Sequence, residues 1–198
     1  IDFAWLDKYE DKIGAVLISW QGGMESGNAL ADILSGKVSP SGKLTDTVAD
    51  SYSDYPSSED FGAKEYNNYT EDIFVGYRYF STFAVDNIRY PFGFGMSYAD
   101  FSVEFISADV KKGNVAVKVN VTNVSDKFSG KETVQVYYSA ENTVLLNPSR
   151  QLAGFAKTKL LAPGESQELS VEFSASAFAS YDDSGVTGCK YAWVFEKG

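Results

Sequence analysis

Carboxylates and aromatic rings are the groups in this 198-residue chain that could do chemistry. The sequence contains no histidine and one cysteine, Cys189. Ser-His-Asp and Cys-His catalysis and histidine-based metal sites are thereby excluded. No internal disulfide can form. Glu71 and Asp72 are adjacent carboxylates. A catalytic pair needs facing geometry, which neighbours in an extended run do not have. Glu25 follows an apolar run and opens a helical pattern. It could sit at the rim of a ligand site beyond a strand end. The favoured reading is a carboxylate held by the free amides of a helix N-terminus. Trp20 could stack on the apolar face of a sugar ring, or belong to a core or domain interface. Tyr52, Tyr55, Tyr66 and Tyr69 lie in a polar stretch. They could touch a substrate, or pack on a neighbouring domain. The candidate binding residues are thus Trp20, Glu25, Tyr66 and Tyr69, and no catalytic residue, metal ligand or cofactor is identified. Gly22 and Gly23 are not followed by a GxxxxGK[ST] pattern, so tight turn geometry accounts for them better than phosphate binding.

The elements that must position these groups fall into two halves. In the first, residues 13–20 (IGAVLISW) form an apolar run of strand length. Such a run fits a strand buried on both faces of a parallel sheet. A glycine-rich turn follows, then residues 28–34 (NALADIL), with Ala29, Leu30, Ile33 and Leu34 on one helical face. Gly36 suits the helix C-terminus and Pro40 lies beyond it. Strand, turn and helix in this order belong to an α/β layer. Residues 39–44 read as a turn into a short extended piece. Residues 45–70 read as a long surface excursion, of a kind that often belongs to a binding face or an interface.

The second half alternates with period two. Val115, Val117, Val119 and Val121 share one face, opposite Lys118 and Asn120. Residues 133–139 (TVQVYYS) and 169–173 (LSVEF) repeat the period. Turn clusters at 111–114 and 162–165 separate the strands. The pattern predicts an antiparallel sandwich of immunoglobulin or fibronectin type III kind. A turn at 196–198 with no strand after it predicts a missing final edge strand and an exposed sheet edge.

A net charge of −10 argues against nucleic acid and anionic membranes as partners and fits a neutral substrate. No apolar run is long enough to span a bilayer. The start at Ile1 shows no initiator Met and no basic leader, so it reads as a cut or processed end. Cytoplasmic and secreted locations both stay open. Three triplets, beginning at Asn68, Asn120 and Asn123, match the glycosylation sequon, a pattern common by chance.

Residues 71–98, EDIFVGYRYFSTFAVDNIRYPFGFGMSY, crowd aromatics, Gly and one Pro into a segment without a clean period. A connector this aromatic must be pressed against something large. Arg78, among Tyr77, Tyr79 and Phe80, suits a cation–π or buried hydrogen-bonding anchor between domains. The aromatics from Tyr77 to Tyr98 would join the two halves. Phe92 or Phe94 to Ala would cost about 3–5 kcal/mol if each ring is buried.

GYRYF followed by YPFGFGMSY resembles the C-terminal signature of family 3 glycoside hydrolases, the β-glucosidase family. Residues 20–36 (WQGGMESGNALADILSG) resemble that family's GGxExGxAxADVLxG block, and PSGKL at 40–44 its continuation. QLAGF at 151–155 and LAPGE at 161–165 are similar to segments of its fibronectin-like domain. The resemblance implies a (β/α)8 barrel, an α/β sandwich domain and a fibronectin type III-like domain in the whole enzyme. Residues 1–98 would be the C-terminal part of the α/β sandwich with the aromatic connector. Residues 99–198 would be most of the fibronectin-like domain, lacking its last strand.

The resemblance further implies a retaining enzyme that removes terminal, non-reducing β-D-glucosyl units from β-glucosides and cello-oligosaccharides. Such enzymes need two carboxyl groups ~5–5.5 Å apart. In the family the nucleophile is an Asp on the barrel, and the acid/base is usually a Glu of the sandwich domain upstream of residue 13. Neither matches a residue of this chain. The chain alone would be inactive, with a structural and pocket-wall role, and its partners would be the barrel and the remainder of the sandwich. Related members cleave β-xylosides, α-arabinosides or N-acetylglucosaminides. The alternative is a non-catalytic carbohydrate-binding or scaffold module. Against it, one strand and one helix cannot form a core alone.

Overall fold

The computed structural model describes residues 3–141 and 143–196. The chain is a mixed helix–strand part followed by an antiparallel β sandwich, with no closed barrel among the described residues. A 3-10 helix at Ala4–Lys12 opens it. Phe3 is buried edge-on against Tyr90, with ring centroids 5.7 Å apart, and Asp7 pairs with Arg89.

The expected strand at 13–20 is not a strand here. It joins no sheet, and Val16, Leu17 and Trp20 are exposed. A strand exists through its neighbours, and no parallel partner lies among the described residues. The helix that follows it, α1 (Ser26–Leu34), does form. It ends in a Schellman arrangement, with the Gly36 amide donating to Ile33 O and the Lys37 amide to Asp32 O, both at 2.9 Å.

The chain then folds back on the aromatic segment. Strand β1 (Val48–Ala49) pairs with β2 (Ile88–Tyr90). Leu44 donates to Phe94 O and accepts from the Gly93 amide, each at 2.7 Å. Gly95 lies so close to the Gly42 carbonyl oxygen that a Cβ there would collide with backbone. The excursion at 45–70 is only partly solvated. Thr47, Val48 and Ala49 are buried, whereas residues 61–70 are all exposed. A short helix, α2 (Tyr77–Phe83), emerges from the aromatic run. Its Phe80 is 1% exposed and meets Tyr55 edge-on at 5.3 Å.

The sandwich has a three-stranded layer in the order β3 (Phe101–Lys111), β4 (Asn114–Asn123), β7 (Ser166–Ser174). Lys112 and Gly113, with φ of 51° and 79°, make the two-residue turn between β3 and β4. Two successive left-handed residues are what such a hairpin requires. A bulge at Ile106 shifts the register of β3. The shift leaves Val103, Phe105, Ala108 and Val110 beside Val121, Val119, Val117 and Val115. A two-stranded layer, β5 (Thr133–Tyr138) with β6 (Gln151–Lys157), faces this sheet. The core between the layers is Val119, Val121, Leu161 and Leu169, with Phe101, Val117, Val134 and Ala156 packed on it.

A hairpin of β8 (Ser180–Asp182) and β9 (Ala192–Val194) completes the described fold. Glu196 turns inward, its Oε1 accepting from the amides of Val144 at 2.6 Å and Leu145 at 3.2 Å. The rest of the predicted terminal turn, Lys197 and Gly198, lies outside the described residues. No helix among the described residues is long and apolar enough to cross a membrane.

Candidate functional site

The four candidate binding residues all lie on the surface. Trp20 is 64% exposed, with φ of 48°, a backbone region unusual for a bulky residue. Glu25 is the N-cap residue of α1 but makes no side-chain cap. Its Oε2 instead accepts from Asn28 Nδ2 at 2.6 Å. Next to it Met24 is fully exposed. Tyr66 and Tyr69 stand out from the 61–70 loop, 71% and 91% exposed. No hydrogen bond or ring contact links the four among the described residues. Trp20 and Glu25 flank one turn, and Tyr66 and Tyr69 crown another.

The other polar candidates are occupied. Tyr55 donates to Thr47 O at 3.0 Å and accepts from the Ala49 amide at 3.1 Å, which fastens β1 rather than a ligand. Tyr52 donates to Ser58 O at 3.1 Å. Glu71 Oε1 accepts from Ser57 Oγ at 2.8 Å, closing the neck of the 61–70 loop. Asp72 has φ of 50°, a backbone region unusual for a residue other than glycine. No group of three metal-ligating side chains exists among the described residues.

The best-built polar contacts to the sandwich come from the PSGKL block and the aromatic segment. Lys43 of the PSGKL block reaches Glu132, with Nζ 3.0 Å from Oε1, and also donates to Gly95 O at 2.9 Å. Both side chains of this pair are under 20% exposed. Lys157 on β6 donates to Ser41 O at 2.7 Å. Burial pushes its ammonium below the ordinary lysine value, and Lys131 and Lys43 add to that while Glu132 opposes it. Tyr77 stacks at a tilt on Phe92 at 4.8 Å and meets Tyr137 edge-on at 6.0 Å. Arg78 lies 6.0 Å from the Tyr77 ring centroid, and its Nη1 donates weakly to Ile73 O at 3.5 Å. Ser149 Oγ donates to Ser81 O at 2.8 Å, and Tyr98 packs on Phe128 at 5.6 Å. Phe94 departs from the expectation of a buried ring. It is 39% exposed and stacks on Tyr90 at 5.1 Å.

Two buried polar side chains escaped the reading of the sequence. Asp182 accepts from the amides of Ser184, Gly185 and Thr187 and from the hydroxyls of Ser184 and Thr187. Burial alone would push its carboxyl up, but these bonds outweigh it and hold the group well below the usual carboxylate range. The Asp-Asp-Ser-Gly run was the available signal, since Asp before such a turn caps its own backbone. Asn123, one of the sequon asparagines, is 0% exposed. Its Nδ2 donates to Phe128 O at 2.8 Å and Leu161 O at 2.9 Å, a structural role.

Residues 2–98 match the glycosyl hydrolase family 3 C-terminal domain, and residues 132–198 match the fibronectin type III-like domain. The chain is 48% identical over 200 residues to a beta-glucosidase of Ruminococcus albus, covering all of this chain and 20% of that protein. It is 46% identical over 216 residues to beta-glucosidase A of Butyrivibrio fibrisolvens, covering all of this chain and 26% of that protein. Among solved structures, a beta-glucosidase from Paenibacillus barengoltzii superposes with a TM-score of 0.96 at 48% identity, over all of this chain and 22% of that one. Beta-glucosidase 3B of Thermotoga neapolitana, in complex with glucose, superposes with a TM-score of 0.81 at 37% identity, over 88% of this chain and 25% of that one. The chain thus spans a fifth to about a quarter of the length of these relatives. On its motifs, its fold and these matches, the chain belongs to glycoside hydrolase family 3.

Proposed function

We propose that this chain is part of a retaining β-glucosidase that removes terminal, non-reducing β-D-glucosyl units from β-glucosides and cello-oligosaccharides. The observation that carries this reading is the likeness to β-glucosidases along the whole chain, at 48% identity in sequence and a TM-score of 0.96 in structure. Residues 1–98 act as the end of the α/β sandwich domain, and residues 99–198 as the fibronectin type III-like domain that braces it. The (β/α)8 barrel and the remainder of the sandwich are this chain's partners within the same enzyme. Both catalytic carboxylates lie outside this chain. Support for that comes from the motifs, since no residue of this chain matches the family's nucleophile or its acid/base; Glu71, Glu132 and Asp182, for their part, are each committed to a local hydrogen bond or ion pair. Trp20, Glu25, Tyr66 and Tyr69 form part of the wall on the substrate side.

An α-linked specificity is the second reading. A relative 40% identical over 185 residues, of which this chain covers 24%, is an exo-alpha-(1->6)-L-arabinopyranosidase of Bifidobacterium longum. Assay of the full-length polypeptide on 4-nitrophenyl β-D-glucoside and on the α-L-arabinopyranoside separates the two. Faster turnover of the glucoside, with the β-anomer of glucose as first product by NMR, is expected. Preference for the arabinoside, or release of the α-anomer of glucose, would overturn the proposal. Hydrolysis by the 198-residue chain alone would place a catalytic group within it.

A further inference from the structure

The sequence contains three arginines, Arg78, Arg89 and Arg150. Arg89 pairs with Asp7. Among the described residues Arg78 and Arg150 join no ion pair, although the chain carries 27 acidic residues against 17 basic ones. The fold brings these two together. The stretch that enters β6 runs antiparallel to α2. At one end Ser149 Oγ donates to Ser81 O at 2.8 Å, and the Ser149 amide donates to Thr82 Oγ1 at 3.0 Å. At the other end the Leu152 amide donates to the Tyr77 phenol oxygen at 2.8 Å. Arg150 lies between these two fastenings, alongside the helical turn that carries Arg78. Its guanidinium carbon is 5.3 Å from the centroid of the Tyr137 ring, and that of Arg78 is 6.0 Å from the Tyr77 centroid. Those two rings meet edge-on at 6.0 Å. The two charges bear on consecutive residues of β5. Burial pushes the Tyr137 phenol up and Arg150 opposes it; burial pushes the Tyr138 phenol up and Arg78 opposes it.

A ring face holds a guanidinium in place but leaves its in-plane N–H donors free. Arg150 Nε is buried and meets no hydrogen-bond partner. Arg78 has one long bond, from Nη1 to Ile73 O at 3.5 Å. A buried donor left unpaired is costly, the more so on a charged group. An oxyanion removes that cost, because carboxylate and phosphate oxygens match the guanidinium fork. Two cations without counter-charges fit a doubly charged anion best, and a phosphate group carries about two negative charges at pH 7. We propose that Arg78 and Arg150 form a binding site for a phosphate-class dianion, held between α2 and the start of β6. Both side chains are only half-buried, so solvent reaches the site. Free inorganic phosphate and phosphate monoesters of sugars share the required chemistry. Occupation adds a third fastening between α2 and β6, beside those at Ser149 and Leu152. The site does not depend on which glycoside is cleaved.

Isothermal calorimetry on the full-length polypeptide tests this, with inorganic phosphate and glucose 6-phosphate as probes and ionic strength held constant with chloride. Saturable binding is expected, weakened roughly tenfold or more by Arg150→Gln and by Arg78→Gln. Lys118→Gln, which removes a surface cation on β4, should leave it unchanged. The tighter of the two probes names the source of the phosphate. Absence of saturable binding by either, or binding that keeps its full strength in Arg150→Gln, would overturn the proposal and leave ring contacts as the whole role of the two arginines. Phenylglyoxal labelling of the unsubstituted protein, read by peptide mass mapping, answers the question even where the variants fail to fold. Phosphate should slow the labelling of Arg78 and Arg150 and leave that of Arg89 unchanged. Equal labelling of Arg78 and Arg150 with and without phosphate would count against the site.

Discussion

The phenol oxygen of Tyr77 accepts a hydrogen bond from the backbone amide of Leu152, at 2.8 Å across 75 residues of sequence. This one contact joins the first residue of α2 to β6. The Tyr77 ring also lies between Phe92 and Tyr137. A single side chain therefore touches the aromatic segment and both strands of the two-stranded layer. Replacing Tyr77 by Phe keeps the ring contacts and leaves the Leu152 amide unpaired. A loss of about 1–3 kcal/mol is expected, read as a lower urea midpoint with an unchanged m-value. An unaltered midpoint would mean that the ring, not the hydroxyl, does the joining.

Lys43 and Glu132 should behave as a coupled pair. Each single replacement, Lys43→Met or Glu132→Gln, leaves a sparsely solvated partner without its counter-charge. The double variant should be less destabilised than the sum of the two, with a coupling of roughly 1–2 kcal/mol. Thermal or urea unfolding of all four proteins completes the cycle, and strict additivity would remove the pair from the account of the junction.

The two phenylalanines of PFGF should not respond equally. Phe92 is half-buried under Tyr77, whereas Phe94 is 39% exposed on Tyr90. Phe92→Ala should cost about 2–3 kcal/mol and Phe94→Ala about 1 kcal/mol. The ordering is the test, by unfolding under one set of conditions.

Asp182 makes the hairpin acid-sensitive. Its folded carboxyl titrates below the usual range. The stability it contributes is therefore complete above the unfolded carboxylate value of ~3.9. It is lost as pH falls from there toward the folded value. Asp182→Asn should lower stability at pH 7 and flatten the acid limb of the stability curve between about pH 4 and pH 2. Circular dichroism melts across that interval give both readings, and parallel acid limbs for the two proteins would contradict the assignment.

Much of the sandwich was legible in the sequence, because a half-buried antiparallel strand writes its own face. Val115, Val119 and Val121 are buried where period two puts them. Strand β3 was harder to see. Its apolar residues at 103 and 105 change parity at Ile106, and alternation cannot show a bulge. Residues 13–20 misled for a different reason. Their composition fits a doubly buried strand, but composition cannot supply the strands on either side. α2 was hidden because Tyr77, Tyr79 and Phe80 are middling helix formers, and contacts of Tyr77 with Tyr137 and of Phe80 with Tyr55 hold the turn in place. Of the candidate site, Trp20 and Glu25 stand out by their place between an apolar run and a helix, and Tyr66 and Tyr69 by their place in a polar excursion. The structure places all four at the surface. The Lys43–Glu132 pair is 89 residues apart and has no signature that local spacing could reveal.

The 61–70 loop combines complete exposure with a closed neck. Ser57 and Glu71 hold its two ends together, and β1 and β2 clasp the chain on either side of it. Surface tips of this kind are where proteases cut first. A single nick there would sever the covalent chain without opening the fold. The products would separate under denaturing conditions as two peptides and travel together as one particle under native ones. An apparent two-subunit preparation of this protein would then be one polypeptide that had been clipped.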